Sequence, residues 1–490
     1  MCTSGGYAIG MVRRSASSSG EATTTAVTEE EEEKGGNWDS LMRWNALEEA
    51  VQQQVKGTNV ATGSFQLRPK GAVPSTSADA MRASGSGSVS MNIDEETKLP
   101  REGLTLGATK PGVLLYRDTN AWCPFCERVW IAIHEKGVPY ESVGVDLRNK
   151  PAWYKEMIPT ALVPSVRFFP DDELVYESKD ILLALERHFP NAKPLLPHDA
   201  ALRARAMELI EAAESDSSVI RQGYKLLLAK RNGRTPGRTV TNTDDKDEER
   251  KKEEEDDDEE EKPEEPDEAT LRASFTASLA DFDAMLAEHG GPFLMGADVS
   301  IPDFMFIPGM LRLAANLRTF ADYELRYDDA FPHVKRWYSA IDDLDSVRSC
   351  RSDDETLNTV VGKIFMGGAV FDLPPQSPLM QTPPLSRDGQ LEAAFKLISN
   401  HERVVDDILL NGGISADDRD DVDVYVRALA QKLLHVTIGD GLKAATPKSK
   451  VIGAASMSFL RNRVTSPRDM SGSACVAFRD AADRLAKSIY

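Results

Sequence analysis

Long apolar runs are missing from this 490-residue sequence. None approaches the roughly 20 residues that a membrane-spanning helix needs, so a soluble protein is expected. Cysteine is scarce too. The five present (Cys2, Cys123, Cys126, Cys350 and Cys475) are odd in number and widely scattered. Such a set argues against a secreted disulfide scaffold and for a reducing compartment. A stripe of Lys and Arg is also lacking. Of the formal net charge of −21, −13 lies between residues 244 and 268, where 18 acidic residues stand against 5 basic ones. The remaining 465 residues carry −8, and no basic face is left to hold a nucleic acid. Paired metal ligands are absent as well. Cys123-x-x-Cys126 has no second ligand pair at zinc spacing, and His134 reads as a surface residue of the same helix, so no metal is expected.

What is present divides the chain. Residues 1–36 are small and polar and end in an acidic run, a disordered composition. Within 38–55, Trp38, Leu41, Leu47 and Val51 predict a short helix, and residues 56–110 return to a Gly/Ser/Pro/Thr-rich linker. The next stretch, 111–195, predicts the order βαβαββα. Its parts are a strand at 113–116, a helix from Cys123 to Gly137, a strand at 140–145, a short helix at 151–157, a hairpin at 165–176 and a helix capped by Ser178. Residues 196–350 read as all-helical, with one long helix over 202–230 and another over 269–289. The acidic insertion 231–268 between them is too charged to fold. Ser300 and Asp303 carry the pattern of a helix-start capping box. After a linker at 351–388, residues 389–490 predict a further helical region. In it Leu391 through Leu409 form one apolar face, and Val422 through Leu433 the next.

The chemistry concentrates at Ala121-Trp122-Cys123-Pro124-Phe125-Cys126. A thiol attacks only as thiolate, and Cys123 follows a strand and opens a helix, where free N–H groups and the helix dipole favour negative charge. Pro124 suits the first helical turn. Cys126, one turn on, is either a resolving thiol or a small buried apolar residue, and both readings stay open. Val163-Pro164 before a strand fits a cis-proline turn whose backbone pairs with an extended thiol peptide. Glu177-Ser178 opens a helix whose N-terminus can take a carboxylate while Glu177 pairs with an ammonium. Glutathione carries both groups at its γ-glutamyl end. Trp122 reads as packing beside the first strand. Cys350 and Cys475, without a partner pattern, read as structural.

On these residues, 112–345 resembles the glutathione S-transferase superfamily. The stretches Cys123-Pro124-Phe125-Cys126-Glu127-Arg128 and Asp146-Leu147-Arg148-Asn149-Lys150-Pro151 are most similar to its omega and related cysteine-type classes. The resemblance implies a thioredoxin-like α/β domain followed by an all-α domain, here with an additional small helical region. It implies that Cys123 forms a mixed disulfide with glutathione as co-substrate, and that Phe125, Lys150, Val163, Pro164, Glu177 and Ser178 hold the tripeptide. It also implies a homodimer. The ending, residues 460–464 and 467–471, resembles the tail of large plant and algal transferase-like proteins, with Arg468 expected in an interhelical salt bridge.

Three departures matter. Omega-type sequences usually lack a cysteine where Cys126 stands. The acidic insertion interrupts the helical domain near the usual hydrophobic-substrate cleft. The chain also adds about 110 residues before and 140 after the transferase body. The resulting expectation is a glutathione-dependent thiol transferase or reductase acting on a small thiol-reactive or glutathionylated substrate. A non-catalytic binding module, and glutathione conjugation to hydrophobic electrophiles, are the alternatives. Conjugation normally uses Tyr or Ser at the Cys123 position. The Ser/Thr-rich start with Arg13, Arg14 and no acid before Glu21 is shared by transit peptides and disordered termini. A cytoplasmic location is expected, with the plastid as alternative.

Overall fold

The computed structural model describes residues 41–56, 58, 60, 112–232, 266–364, 383–438, 442 and 444–489. Trp38 and the expected disordered stretches at 1–36, most of 56–110 and most of the acidic insertion lie outside the described residues. The first helix, α1 (Trp44–Val55), buries Leu47, Val51 and Val55 at helical spacing. It does not belong to an N-terminal extension of its own. Its apolar side packs into the C-terminal helices, where Trp44 Nε1 donates to Asp423 Oδ1 at 2.8 Å and the Trp44 ring stacks on His401.

Next comes the βαβαββα unit: β1 (Val113–Asp118), α2 (Pro124–Lys136), β2 (Tyr140–Val145), α3 (Ala152–Met157), β3 (Ser165–Phe168), β4 (Glu173–Tyr176) and α4 (Ser178–His188). Its sheet runs β2-β1-β3-β4, with β1 parallel to β2 and antiparallel to β3. β1 can be apolar at successive positions because both its faces are covered. Val113 and Leu115 enter the main core, Leu114 and Tyr116 a smaller one with Tyr154 and Ile158. Gly137 ends α2 at φ 67°, its N–H donating to His134 O and that of Val138 to Ile133 O. His134 is not a surface residue. Half-buried, it lies 2.9 Å from the Tyr140 hydroxyl, and burial lowers its pKa. Nor does Ser178 cap α4. It is the first helical residue, and the cap position falls to Glu177.

The second domain comprises α5 (Ala200–Glu214), α6 (Val219–Asn232), α7 (Glu268–Ala287), α8 (Ile301–Ala321), α9 (Pro332–Asp342), α10 (Asp345–Cys350) and α11 (Asp354–Ile364). The single helix expected over 202–230 is two. At the break, Ser215 donates its hydroxyl to Ala212 O at 2.8 Å, a side-chain bond that competes with the helical ladder. Asp303 opens α8, accepting from the Ser300 amide and hydroxyl at 3.0 Å each and from Trp337 Nε1 at 3.0 Å. α6 and α8 meet closely: a Cβ on Gly223 would lie 2.5 Å from Leu313, and one on Gly309 2.7 Å from Ile220. The stretch expected as linker contains α11, which packs against α8.

The third unit holds α12 (Arg387–Ser399), α13 (His401–Asn411), a 3-10 turn (Ala416–Asp418), α14 (Arg419–Leu433), α15 (Pro447–Arg463) and α16 (Gly472–Ile489). The apolar face from Leu391 to Leu409 belongs to two helices. Asn400, at φ −130° and ψ 17°, closes α12, and its side-chain amide donates to Lys396 O at 2.9 Å. The first two domains share one apolar core, and the third unit has its own, completed by α1. Among the described residues no helix is long and apolar enough to cross a membrane.

Candidate active site

Cys123 occupies the cap position of α2, with φ −69° and ψ 119°, and no side chain caps that helix. The loop before it is fixed by Asp118, a buried carboxylate at the end of β1. It accepts the Trp122 amide at 2.7 Å and the Cys123 amide at 3.2 Å. The Cys123 thiol is half-buried and lies 3.9 Å from Val163 O, and the Val163–Pro164 peptide beside it is cis.

The two thiols titrate in opposite directions. Cys123 is lowered chiefly because the Cys126 thiol donates a hydrogen bond to it, with help from the backbone N–H groups of Cys126 and Phe125; burial and the Asp118 carboxylate work against this. Cys126 is buried and pushed well up, first by burial and then by its bond to Cys123. Of the two, Cys123 is the thiol whose anion the surroundings favour, and Cys126 is its donor. Cys350 and Cys475 are buried, and burial raises both.

Two cavities meet at Cys123. The smaller, about 320 Å³, is lined by Phe125, Lys150, Val163, Pro164, Glu177 and Ser178 together with Thr160, Leu162 and Tyr176. Every residue singled out from the sequence for glutathione binding thus faces one space. Among the described residues neither the Lys150 nor the Glu177 side chain takes an ion-pair or hydrogen-bond partner, so both charges are free to meet a ligand. Glu177 also has φ 72°, a left-handed backbone that a non-glycine residue adopts at a cost of about 1–3 kcal/mol and that clusters at ligand sites. Ser178 Oγ is tied to Arg128 Nη1 at 3.3 Å, and the Arg128 guanidinium lies 5.0 Å over the Phe125 ring. Burial brings the Arg128 pKa down to about 10.

The larger cavity, about 1040 Å³, shares Cys123, Phe125 and Leu147 with the smaller one. Trp122, Leu147, Ile220, Tyr224, Leu357, Val360 and Val361 make its apolar walls, with Arg148 and Arg221 also lining it. The residues of α6 that line it, Ile220, Arg221 and Tyr224, lie in the helix's first turns. Four exposed hydrophobics gather around the two cavities: Phe125 (50%), Leu147 (46%), Leu162 (55%) and Tyr176 (38%). Clustered apolar exposure of this kind marks a binding surface.

Sequence reasoning missed several contributors. Arg312 of α8 pairs with Glu127 at 2.6 Å and donates to Trp122 O at 2.7 Å, joining the two domains beneath the motif. Glu127 stood inside the motif, but nothing near Arg312 distinguishes it. Asp118 could have been found from its place at the end of the first strand. The α11 wall had no local signal. Arg468 is bound within its own turn, to Asp469 at 2.6 Å and to Arg463 O, and makes no interhelical salt bridge among the described residues. Among the described residues no cluster of His, Cys, Asp or Glu is suited to a metal ion.

A family model described as the glutathione S-transferase N-terminal domain matches residues 122–188, and one for the glutathione S-transferase C-terminal domain matches 242–349. Protein IN2-1 homolog A of Oryza sativa subsp. japonica is 26% identical over 236 residues, 47% of this chain and 78% of that protein. Glutathione S-transferase DHAR3, chloroplastic, of Arabidopsis thaliana is 24% identical over 233 residues, 48% of this chain and 70% of its own length. Among solved structures, glutathione transferase Omega 3C from Trametes versicolor aligns at 22% identity with a TM-score of 0.36, covering 49% of this chain and 84% of that one.

Proposed function

Since the chain carries the N- and C-terminal domains of the glutathione S-transferase superfamily, we propose that it is a cysteine-type thiol transferase that exchanges glutathione through Cys123. The observation that carries this reading is the position of Cys123. A thiol held toward its anionic form sits where a pocket of about 320 Å³, with Lys150 and Glu177 in its lining, meets a larger, mainly apolar cleft. Glutathione would lie in the smaller pocket. Lys150 and Glu177 would take its charged groups, the start of α4 a carboxylate, and the Val163 backbone its cysteinyl peptide.

In the first step the Cys123 thiolate attacks the glutathionyl sulfur of a mixed disulfide. The substrate S–S bond breaks, a Cys123–glutathione disulfide forms, and the other half leaves as thiolate and takes a proton. A second glutathione thiolate then attacks the glutathionyl sulfur, releasing oxidised glutathione and restoring Cys123. Cys126, buried and held as a thiol, supports the first thiolate better than it could resolve the adduct. For the compartment, the relative named chloroplastic favours the plastid over the cytoplasm.

The test is a glutathione-exchange assay on a small mixed disulfide. Cys123→Ser is expected to lose at least about a thousandfold in rate, because a hydroxyl is not ionised at neutral pH. Full retained activity in Cys123→Ser would overturn the reading, and glutathione binding by the native chain with no turnover of any thiol substrate would leave a binding module.

A further inference from the structure

The two ends of α11 are engaged by different parts of the molecule. Toward its close, Leu357, Val360 and Val361 wall the apolar cleft that Cys123 shares with Trp122 and Ile220. Its start is gripped by the C-terminal helical unit. Asp353, fully buried, sits just before the first turn and accepts the Thr356 amide at 3.0 Å and hydroxyl at 2.7 Å. Across the unit boundary the same carboxylate accepts the Ser466 hydroxyl at 2.5 Å and Arg479 Nη1 at 2.7 Å. Arg479 Nη2 continues to Thr356 Oγ1 at 3.0 Å and Val464 O at 2.8 Å. Two residues beyond Asp353, Glu355 pairs with Arg461 at 2.8 Å. Every cross-boundary partner lies more than 100 positions along the chain, beyond the residues matched by the two transferase family models.

We propose that α11 is a specificity-determining wall of the cleft, set in place by the C-terminal unit through the Asp353–Arg479 pair. Arg479 is then a positioning residue for a site it does not touch. The class of substrate it selects is a glutathione bearing a bulky, apolar aromatic substituent on sulfur. Branched aliphatic side chains from α11 and the ring of Trp122 give such a group apolar contact, whereas a small polar substituent would reach neither. This rests on the reading that glutathione occupies the smaller pocket. The coupling follows from the burial of the pair. Removing the guanidinium leaves Asp353 as a buried charge without its cation, so the start of α11 must shift or admit water, and the wall moves with it.

The experiment is calorimetry on the full chain with two unreactive ligands, S-methylglutathione and S-(naphthylmethyl)glutathione, read as the ratio of their affinities. The native protein is expected to favour the naphthylmethyl ligand by at least about tenfold. Arg479→Met should bring that ratio close to one, and Arg479→Lys, which keeps the charge, should recover most of it. Val360→Phe narrows the cleft without touching Asp353 and should also lower the ratio, which keeps the test intact if Arg479→Met does not fold. A native ratio near one, or a native ratio kept in folded Arg479→Met, overturns the proposal while leaving the glutathione site standing; where Arg479→Met does not fold, a native ratio kept in Val360→Phe does the same. Failure of the native chain to bind either ligand overturns both.

Discussion

Two helix starts in this protein place an acidic group at the same point and make opposite use of it. At α2 the group is the Cys123 thiol. It is half-buried, supported by a neighbouring thiol and by backbone N–H groups, and open to two cavities. At α11 it is the Asp353 carboxylate, with an amide, two hydroxyls and a guanidinium as partners and no exposure. Burial alone would raise Asp353, but Arg479 and the hydroxyls outweigh it and hold the carboxyl below its usual range. A satisfied anion locks two parts of the chain together. An anion stabilised only in part, and left accessible, is a nucleophile.

The comparison can be broken hardest at the locked end. Asp353→Ala takes the nearer carboxylate from buried Arg479, leaving it Glu355 at 3.7 Å, and should lower stability by about 3–5 kcal/mol, read by chemical denaturation. An effect below about 1 kcal/mol would mean that the junction is not structural. Ser466→Ala removes one charge-assisted bond to the same carboxylate and should cost less, about 1.5–3 kcal/mol in the same measurement. The open end is sharpened by the pH dependence of Cys123 alkylation, whose rate rises as pH climbs through the thiol's pKa. The native midpoint should lie below that of an ordinary cysteine. Cys126→Ala deletes the largest stabilising contact and should move the midpoint up, whereas Cys126→Ser keeps a donor and should move it less. Asp118→Asn removes an opposing charge and should move it down. Shifts of the wrong sign would show that the contacts setting the thiol have been misread.

The open end was legible in the sequence because its signals are local. A strand ending before Cys123, Pro124 in the first turn and Gly137 as the stop all sit within one supersecondary unit. The remaining pocket residues, Lys150, Val163, Pro164, Glu177 and Ser178, stand at the edges of elements whose periodicity could be read directly. The locked end was not legible. Asp353-Asp354-Glu355 resembles the charged start of a linker, and partners more than 100 positions away, Arg479 and Ser466 on Asp353 and Arg461 on Glu355, turn it into a core. α1 hid its partner in the same way, since Trp44 meets Asp423 across 379 positions. The missed breaks near 215–218 and at Asn400 have a different cause. The apolar periodicity runs on across them, and the interruption lies in polar side chains that bond back to the preceding turn.

On the proposed reading, Cys123 takes up glutathione while Cys126 remains its hydrogen-bond donor. Mass spectrometry of the peptide containing both residues, after treatment of the native protein with oxidised glutathione, tests it most directly. One glutathione adduct on Cys123, with Cys126 still alkylatable after unfolding, is the predicted result. A Cys123–Cys126 disulfide without bound glutathione would contradict it.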